Sequence, residues 1–427
     1  MIQLRISPHL PLWQEAKKWR RYDERSHHMR RLAWAKKGID FGSAADTHLV
    51  DHIYPHRFLE LIGQDAIFRA TRYPGLVHAD ETFQITVAKN WSEWFGIPTS
   101  SESVVVLPGA YGGYRILSAL VPSSGVVLIP SVMHQQHVAC LATLNRRLLR
   151  IKMNESGLLD LGHLEALLRK QTNNGRLCFL YLNHTFGSRL TAKYLKQLAV
   201  LAERYSLTLW YDADTLFVSH QAAYDPTRIF ANKQLRRQTI FLGTLSKEFN
   251  LPGLRIGYAI APVPIATAMR RYQEITMEIH SPVTMYVATQ ALQQVNLKRS
   301  SEILNKRMEM LVTGLRARGW KIRAPYQGIN LLVPVPRSFQ VVRSVAATPG
   351  ELFAFFLLKK TQTLVRPGSM YGLHPDLYVR FVVSQHTTEI QRFFERLDAV
   401  GIHAQMSLPS GLIEEFEQTC PFGESKE

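Results

Sequence analysis

Short apolar runs bounded by turn residues recur through the middle of the chain, and each has the length of a buried β-strand. These runs are residues 104–107, 126–129, 177–182, 238–242 and 256–261. Stretches with helical spacing lie beside them, in which apolar residues recur every three or four positions, as at Phe83, Val87 and Trp91. The alternation over residues 104–261 predicts an α/β fold with a mainly parallel central sheet and helices on both faces.

A different order of elements follows towards the C-terminus. Strands are predicted at residues 329–335, 363–365 and 378–383, and helices at 349–360 and 387–400. This mixture is typical of a small α+β domain, and a mostly helical stretch at 289–314 precedes it. A chain of 427 residues is long enough for two domains. We therefore predict an N-terminal arm with part of the small domain at 1–71, a large domain at 72–300 and the small domain at 301–427.

One lysine stands where α/β proteins place their chemistry, on the loop between the predicted strands 238–242 and 256–261. Hydroxyl groups at Thr244 and Ser246 flank Lys247, and Arg255 follows a Pro-Gly turn. An amine that can form a Schiff base, with hydroxyls and a guanidinium for a phosphate, suits a pyridoxal phosphate site. From these residues alone, a surface lysine beside a turn fits as well.

The whole string from Gly243 to Gly257 decides between these interpretations. It resembles the S-x-S-K-x-x-x-x-P-G-x-R-x-G signature of the class I/II aminotransferases, with threonine in place of the first serine. The resemblance implies a fold type I pyridoxal-phosphate-dependent transferase. It further implies that Lys247 holds the cofactor covalently, while Thr244, Ser246 and Arg255 anchor its phosphate.

A glycine-rich turn follows the predicted strand at 104–107, and a helix is predicted after it. Backbone N–H groups at the start of a helix form a cradle for an anion, although turns of this kind are common. The segment resembles the first phosphate loop of the same family. That resemblance implies that Gly109, Ala110 and Tyr111 bind the cofactor, with Ala110 and Tyr111 donating amides to its phosphate.

Two polar residues follow predicted strands at positions that face the cofactor ring in the family. Asp212 resembles the acid that pairs with the pyridine nitrogen, and its spacing fits better than that of Asp214. Asn183 resembles the asparagine that binds the ring hydroxyl, in a degraded form of the family's N-P-T-G loop. Thr215 stands where relatives often carry tyrosine, which departs from the pattern.

The aromatic residue that stacks on the ring in the family has no direct counterpart here. Its usual position holds Val132, so we assign the stacking role to His134, with His137 as the alternative. An ordinary polar loop histidine fits the sequence equally well. Tyr73, in a Tyr-Pro-Gly turn, is the candidate for a tyrosine that reaches the cofactor phosphate of the neighbouring subunit.

The C-terminal part carries the segment from Pro367 to Gly372 and then Tyr378-Val379-Arg380. The pair resembles the family's P-G-x-x-F-G followed by Y-x-R-x-S, with Tyr371 for phenylalanine and Val382 for serine. The resemblance implies that Arg380 binds the substrate α-carboxylate, since a guanidinium offers two parallel donors that lysine cannot reproduce.

Net charge and cysteine content bear on partners and location. The formal charge is +17, and part of the excess lies at residues 17–37, where acids and apolar residues are interspersed. That segment is predicted as a solvated helix face, so no nucleic-acid partner is assigned. Three scattered cysteines predict neither a disulfide framework nor a metal cluster. Without a signal peptide or an apolar run of membrane length, the expected location is cytoplasmic.

The sequence thus predicts a pyridoxal-phosphate-dependent aminotransferase that acts on an α-amino acid and a 2-oxo acid, with a homodimer implied by the resemblance. A decarboxylase, lyase or cyclase on the same scaffold remains open, because the fold does not fix which Cα bond breaks. A cofactor-binding regulator without catalytic activity is the alternative from another class. Such regulators carry a helix-turn-helix, and none is recognisable in residues 1–71.

Overall fold

The protein is described from a computed structural model. It covers residues 29, 31, 38–41, 81–142, 147–154, 157–183, 190–213, 228–247, 249–276, 280–322, 329–344, 347–372 and 376–420. The strands are β1 Ile39–Asp40, β2 Val104–Leu107, β3 Val126–Pro130, β4 Arg147–Ile151, β5 Cys178–Asn183, β6 Thr208–Asp212, β7 Thr239–Thr244, β8 Gly257–Ile260, β9 Asn330–Pro334, β10 Thr363–Leu364, β11 Arg366–Pro367 and β12 Tyr378–Val382.

Helices surround these strands. They are α1 Glu81–Phe95, α2 Gly109–Leu120, α3 Gln135–Ala142, α4 Leu161–Thr172, α5 Ala192–Arg204, α6 Arg228–Ala231, α7 Lys233–Arg237, α8 Val263–Thr276, α9 Pro282–Gln294, α10 Leu297–Ala317, α11 Arg337–Gln340, α12 Pro349–Thr361, α13 Thr387–Ala399 and α14 Leu412–Thr419. Short 3₁₀ turns lie at Ser101–Ser103, Pro252–Leu254 and Gly368–Tyr371. Among the described residues, none of the helices combines the length and the apolar character needed to cross a bilayer.

The larger sheet has seven strands in the order β2-β8-β7-β6-β5-β3-β4. Strands β7, β6, β5, β3 and β4 run parallel, whereas β8 is antiparallel to both of its neighbours. Alternate residues of β5 enter different cores, with Leu180 and Leu182 on one face and Tyr181 on the other. A sheet buried on both faces explains why its strands are continuous apolar runs. The predicted fold class is confirmed.

The same strand order brings the ends of the chemical segments together. The carboxyl ends of β5, β6 and β7 are adjacent in the sheet, and Asn183 of β5 is opposite Asp212 of β6. Lys247 follows β7 on the loop that leads to β8. In a parallel sheet, side chains at these ends face one crevice, which is where ligands bind.

The C-terminal elements form a second core around the three-stranded antiparallel sheet β11-β12-β9. The N-terminal segment takes part, because β1 pairs with β10 and the Phe41 ring packs against Phe381 and Phe393. The backbone N–H of Val382 also donates to the Phe41 carbonyl at 2.8 Å. Residues 38–41 therefore belong structurally with the C-terminal part of the chain.

Two details differ from the sequence-based expectations. The helical stretch predicted at 289–314 is divided into α9 and α10 at Asn296, whose side chain accepts a hydrogen bond from the Arg299 backbone N–H and so starts a new helix. The edge strand β4 is not predicted, because Arg147 and Arg150 interrupt its apolar pattern. Charged residues of this kind are common on edge strands.

Candidate functional site

Lys247 lies in a tight turn directly after β7, and its side chain is half-buried. The Thr244 hydroxyl donates to Ser246 Oγ at 2.9 Å, and Thr244 Oγ1 accepts from the Ser246 backbone N–H at 3.2 Å. The Asn250 N–H donates to the Lys247 carbonyl at 3.2 Å, with Asn250 in the left-handed region at φ 51°. These bonds fix the direction in which Lys247 leaves the sheet.

Arg255 and Gly109 are brought together across β8. Arg255 adopts a left-handed conformation with φ 56°, and its Nη1 donates to the Pro252 carbonyl at 2.8 Å. Gly109 opens α2 with φ +67°, and a Cβ built on it would lie 3.0 Å from Arg255 Nη2. Glycine is therefore required at residue 109 both for its backbone angle and for the approach of the guanidinium.

Ala110 and Tyr111 lie in the first turn of α2, beside this guanidinium. First-turn N–H groups of a helix have no acceptor within the helix and carry the positive end of its dipole. The helix start and Arg255 together form a cationic cradle for an anion. The predicted phosphate-binding elements at Gly109 and Arg255 thus meet in space.

Asp212 ends β6 and is buried, with 3% of its surface exposed. Tyr181 donates its hydroxyl to Asp212 Oδ2 at 2.7 Å, and Tyr114 donates to the same oxygen. His137 extends the group, since its Nδ1 lies 3.3 Å from the Tyr181 hydroxyl. The carboxylate is held in one orientation by two elements, β5 and α2.

His137 and His134 occupy different surroundings. The His137 ring packs edge-on against Tyr111, with centroids 5.2 Å apart, and lies 5.1 Å from the Tyr114 ring. Burial lowers the pKa of His137, the charge of Asp212 opposes that effect, and Lys247 lowers the pKa further. His137 therefore lies within electrostatic range of both the buried acid and the lysine.

His134 faces the C-terminal sheet. Its ring lies edge-on to Tyr371 at 5.2 Å between centroids. Burial lowers the pKa of His134 well below its usual value, and the charges of His137, Arg380, Arg366 and Lys247 lower it further, in that order. The imidazole is consequently neutral at physiological pH.

Two arginines approach this histidine from the C-terminal sheet. The Arg380 guanidinium lies over the Tyr371 ring, with Cζ 5.1 Å from the centroid. Arg366 is directly opposite Arg380 in the β11–β12 pairing. The Met133 backbone N–H donates to the Tyr371 carbonyl at 2.8 Å, which joins the two halves of the site.

Most of the predicted residues lie around one crevice, and a few lie outside the described residues. The Asn183 backbone ends β5 beside Asp212, but its side chain is outside the described residues. Tyr73, Asp214 and Thr215 are also outside them. The sequence interpretation missed the partners of Asp212 and the second arginine.

Those missed residues carried weak signals in the sequence. Tyr181 stands two residues before Asn183 and so shares its strand face, while Tyr114 stands one helical turn after Tyr111. Arg366 directly precedes the Pro-Gly segment that identified Arg380. Each becomes recognisable as a site residue only when strand pairing is known.

The assembled groups can perform a limited set of reactions. Lys247 is half-buried, and it acts with the buried Asp212 on His137. Arg255 lies against Gly109, and Arg366 is paired with Arg380. An amine so placed can form a covalent adduct with a carbonyl and can exchange protons. The cradle and the guanidinium groups suit anionic groups at either end of a bound molecule.

Known proteins have sequences and structures similar to those of this chain. The sequence profile described as aminotransferase class I and II matches residues 69–397. LL-diaminopimelate aminotransferase 2 of a Nostoc species is 26% identical over 52% of this chain and 55% of its own length. The match thus spans little more than half of that relative. An aspartate aminotransferase of Pyrococcus horikoshii is 24% identical over 74% of this chain and 78% of its own length.

Solved structures give the same fold. The N-succinyldiaminopimelate aminotransferase of Mycobacterium tuberculosis superposes with a TM-score of 0.74 at 20% identity, and the match covers 87% of this chain and 96% of that structure. At this identity the likeness establishes the fold alone. Since the family profile covers most of the sequence, the chain belongs to the aminotransferase class I and II family.

Proposed function

We propose that the protein is a pyridoxal-phosphate-dependent aminotransferase that moves an amino group from an α-amino acid to a 2-oxo acid. Family membership supports the proposal, and members of this family use pyridoxal phosphate. The observation that carries it is that Lys247 and the buried Asp212 both act on His137, while Lys247 shares the β7–β8 loop with Arg255, which lies against Gly109.

The residues present fit the cofactor. The cradle accommodates a phosphate because Gly109 has no Cβ where the Arg255 guanidinium approaches. We assign phosphate binding to Arg255, to the hydroxyls of Thr244 and Ser246, and to the amides of Ala110 and Tyr111. When bound, pyridoxal phosphate supplies an electron sink for the carbanion that forms at the substrate Cα.

Lys247 has two tasks in this proposal. Its amine would hold the cofactor covalently. Once released, Nζ would move a proton at the substrate Cα as general base and general acid.

Asp212 is assigned to the protonated pyridine nitrogen. A carboxylate there keeps that nitrogen positively charged, and burial strengthens the ion pair. The hydroxyls of Tyr114 and Tyr181 hold Asp212 in place, and His137 supports Tyr181. We assign the face of the ring to His134 and the ring hydroxyl to Asn183.

Arg380 is assigned to the substrate α-carboxylate. Its guanidinium is half-buried and held over Tyr371, so its donors are oriented before substrate arrives. The Met133 N–H donates to the Tyr371 carbonyl and so connects the loop of His134 to Tyr371. This bond fixes the position of Arg380, which lies over Tyr371, relative to His134. Correct placement of the carboxylate also places the Cα–H bond relative to Lys247.

Homodimerisation and a cytoplasmic location are part of the same proposal. The first is supported by the family resemblance, in which Tyr73 reaches a neighbouring active site, and the second by the presence of only three cysteines. Sedimentation equilibrium tests the dimer. A monomer that remains active would refute the shared site.

Borohydride trapping tests the attachment of the cofactor. The protein is loaded with pyridoxal phosphate, reduced and digested, and the peptide that carries the added mass is identified by mass spectrometry. We expect the cofactor on Lys247 in the wild type and no adduct in Lys247→Ala. Lys233→Ala, at an exposed lysine of α7, is the matched control and should label as the wild type does.

A further inference from the structure

Asp376 carries a buried carboxylate two residues before β12, with 2% of its surface exposed. The Thr348 hydroxyl donates to Asp376 Oδ2 at 2.6 Å, and the Gly350 N–H donates to the Asp376 carbonyl at 3.0 Å. Thr348 is the N-cap of α12, and its hydroxyl oxygen also accepts from the Glu351 N–H at 3.2 Å. Asp376 is thus bound to the start of α12 through both its side chain and its backbone.

Gly350 permits this close approach. A Cβ built on Gly350 would lie 2.5 Å from each of the two Asp376 carboxylate oxygens, and real Cβ atoms essentially never come so close to another atom. A larger residue at position 350 would therefore push the carboxylate away from the helix. Most residues of α12 are buried, so the helix is a firm support for the groups attached to it.

The same carboxylate holds the 3₁₀ turn Gly368–Tyr371. The Ser369 backbone N–H donates to the Asp376 carboxylate. Two residues further on, the Tyr371 ring supports the Arg380 guanidinium, whose Cζ lies 5.1 Å from the ring centroid. A displacement of this turn would consequently move the surface on which Arg380 rests.

We propose that Asp376 fastens the turn Gly368–Tyr371 to α12 and thereby orients Arg380 for the substrate carboxylate. Asp376 is a positioning residue, because it acts through Ser369 and Tyr371. The inference rests on the proposed function, which assigns the α-carboxylate to Arg380. A guanidinium binds a carboxylate through two parallel donors, so a small change in its direction weakens both hydrogen bonds.

The charge of Asp376 reduces stability, which agrees with a role in binding. Burial raises the pKa of Asp376 to about 6, the Thr348 hydroxyl and the Ser369 N–H lower it, and the charge of Glu351 raises it. Because this pKa lies above that of the unfolded chain, ionisation destabilises the folded protein above about pH 6. The ionised form is nevertheless the stronger acceptor for the Ser369 N–H, since hydrogen bonds to charged groups are stronger than those to neutral ones.

Binding of a simple carboxylate tests the inference without requiring catalysis. Butyrate is titrated into the cofactor-loaded protein at pH 8, and its dissociation constant is measured by ligand-observed NMR. We expect Asp376→Asn to weaken butyrate binding by about fivefold, because a neutral amide holds Ser369 less firmly than a carboxylate does. Asp398→Asn, at an exposed aspartate of α13, is the matched control and should bind butyrate as the wild type does.

The pH dependence separates orientation by a charge from a general loss of structure. Below about pH 6 the wild-type Asp376 is protonated and resembles the amide. The dissociation constant of Asp376→Asn divided by that of the wild type should therefore be about five at pH 8 and approach one at pH 5. Titration of butyrate, of Glu351 on α12 and of Tyr371 with its neighbours Arg380 and Arg366 largely cancels in this ratio.

Hydrogen exchange reports on the turn directly. Peptides from residues 366–372 should exchange faster in Asp376→Asn than in the wild type, by about threefold or more at pH 8, whereas peptides of α12 should not change. Urea unfolding at the same pH should show a variant at least as stable as the wild type, because a buried charge has been removed.

Gly350→Ala displaces the carboxylate without changing its charge. The added methyl group would overlap the Asp376 oxygens, while alanine itself favours a helix. This second variant should also weaken butyrate binding by about fivefold or more, and it tests the inference independently of the folding of Asp376→Asn.

The outcomes distinguish this inference from the proposed function. Unchanged butyrate affinity in Asp376→Asn and Gly350→Ala overturns the positioning role, whether or not amino transfer occurs. An equal weakening by Asp376→Asn at pH 5 and pH 8 also overturns it, because the effect would not depend on the charge. A weakening confined to the higher pH, in a protein that transfers no amino group from any amino acid, supports the positioning role and refutes the aminotransferase.

Discussion

Gly109 and Arg255 lie so close together that a Cβ on Gly109 would be 3.0 Å from Nη2 of the guanidinium. The contact joins the first turn of α2 to the loop after Lys247, although the two residues are far apart in sequence. Gly109 is also held at φ +67°, which an L side chain rarely adopts. The phosphate cradle therefore depends on one small residue.

Gly109→Ala should weaken cofactor binding by about tenfold or more, because the methyl group displaces the charge-assisted donor of Arg255. The dissociation constant for pyridoxal phosphate, measured by fluorescence titration, checks this. Gly175→Ala is the matched control, since Gly175 has φ +66° and nothing within 4 Å of an added Cβ. Both variants should lose about 1 kcal/mol of stability from backbone strain. Equal cofactor affinity in the two variants contradicts the cradle.

Tyr181→Phe should lower turnover by about tenfold, because a hydrogen bond to a charged group contributes about 1.5–3 kcal/mol and Asp212 would keep only the Tyr114 hydroxyl of the pair. Steady-state kcat with saturating cofactor measures this. Tyr194→Phe removes a tyrosine hydroxyl from α5 at a comparably buried position. A similar loss of stability in both variants, with reduced turnover only in Tyr181→Phe, is expected. Unchanged turnover in Tyr181→Phe means that Tyr181 does not support Asp212.

The lowered pKa of His134 has a consequence for acid stability. The unfolded chain binds a proton at the usual pKa of 6.5 while the folded protein does not, so stability is present above pH 6.5 and is lost as pH falls below it. The expected loss is at most about 1.4 kcal/mol for each pH unit. Urea unfolding of the cofactor-free protein at a series of pH values measures it.

His134→Gln should reduce this dependence, and His137 should account for part of what remains, since its pKa is lowered as well. His403→Gln alters an exposed histidine and serves as the control, with an expected pH dependence equal to that of the wild type. If His134→Gln also keeps the wild-type slope below pH 6.5, the imidazole is not held neutral by its surroundings.

The sequence predicted the elements that depend on local pattern. Buried strands such as β7 appear as apolar runs, and Asp160 caps α4 by accepting a hydrogen bond from the His163 N–H, which is a common role of aspartate at a helix start. The signature around Lys247 identified the loop and its partners. These features are encoded within about 20 residues of chain, so a single sequence suffices to recognise them.

Features that depend on strand pairing could not be predicted in the same way. Tyr181 and Arg366 have no local pattern that separates them from core or edge residues. Their roles follow from the register of β5 with β6 and of β11 with β12, which is set by contacts between distant segments. The sequence pattern did not reveal that one helix ends and another begins between α9 and α10. Asn296, which caps α10, is also compatible with one continuous helix.

The product of a single turnover tests the central claim most directly. Cofactor-loaded protein is mixed with one amino acid and no acceptor, and the products are separated by mass spectrometry. The account predicts a 2-oxo acid in equal amount to pyridoxamine phosphate, formed by the wild type and not by Lys247→Ala. Release of carbon dioxide or ammonia, with the cofactor recovered as pyridoxal phosphate, would contradict it and assign the site to a decarboxylase or a lyase.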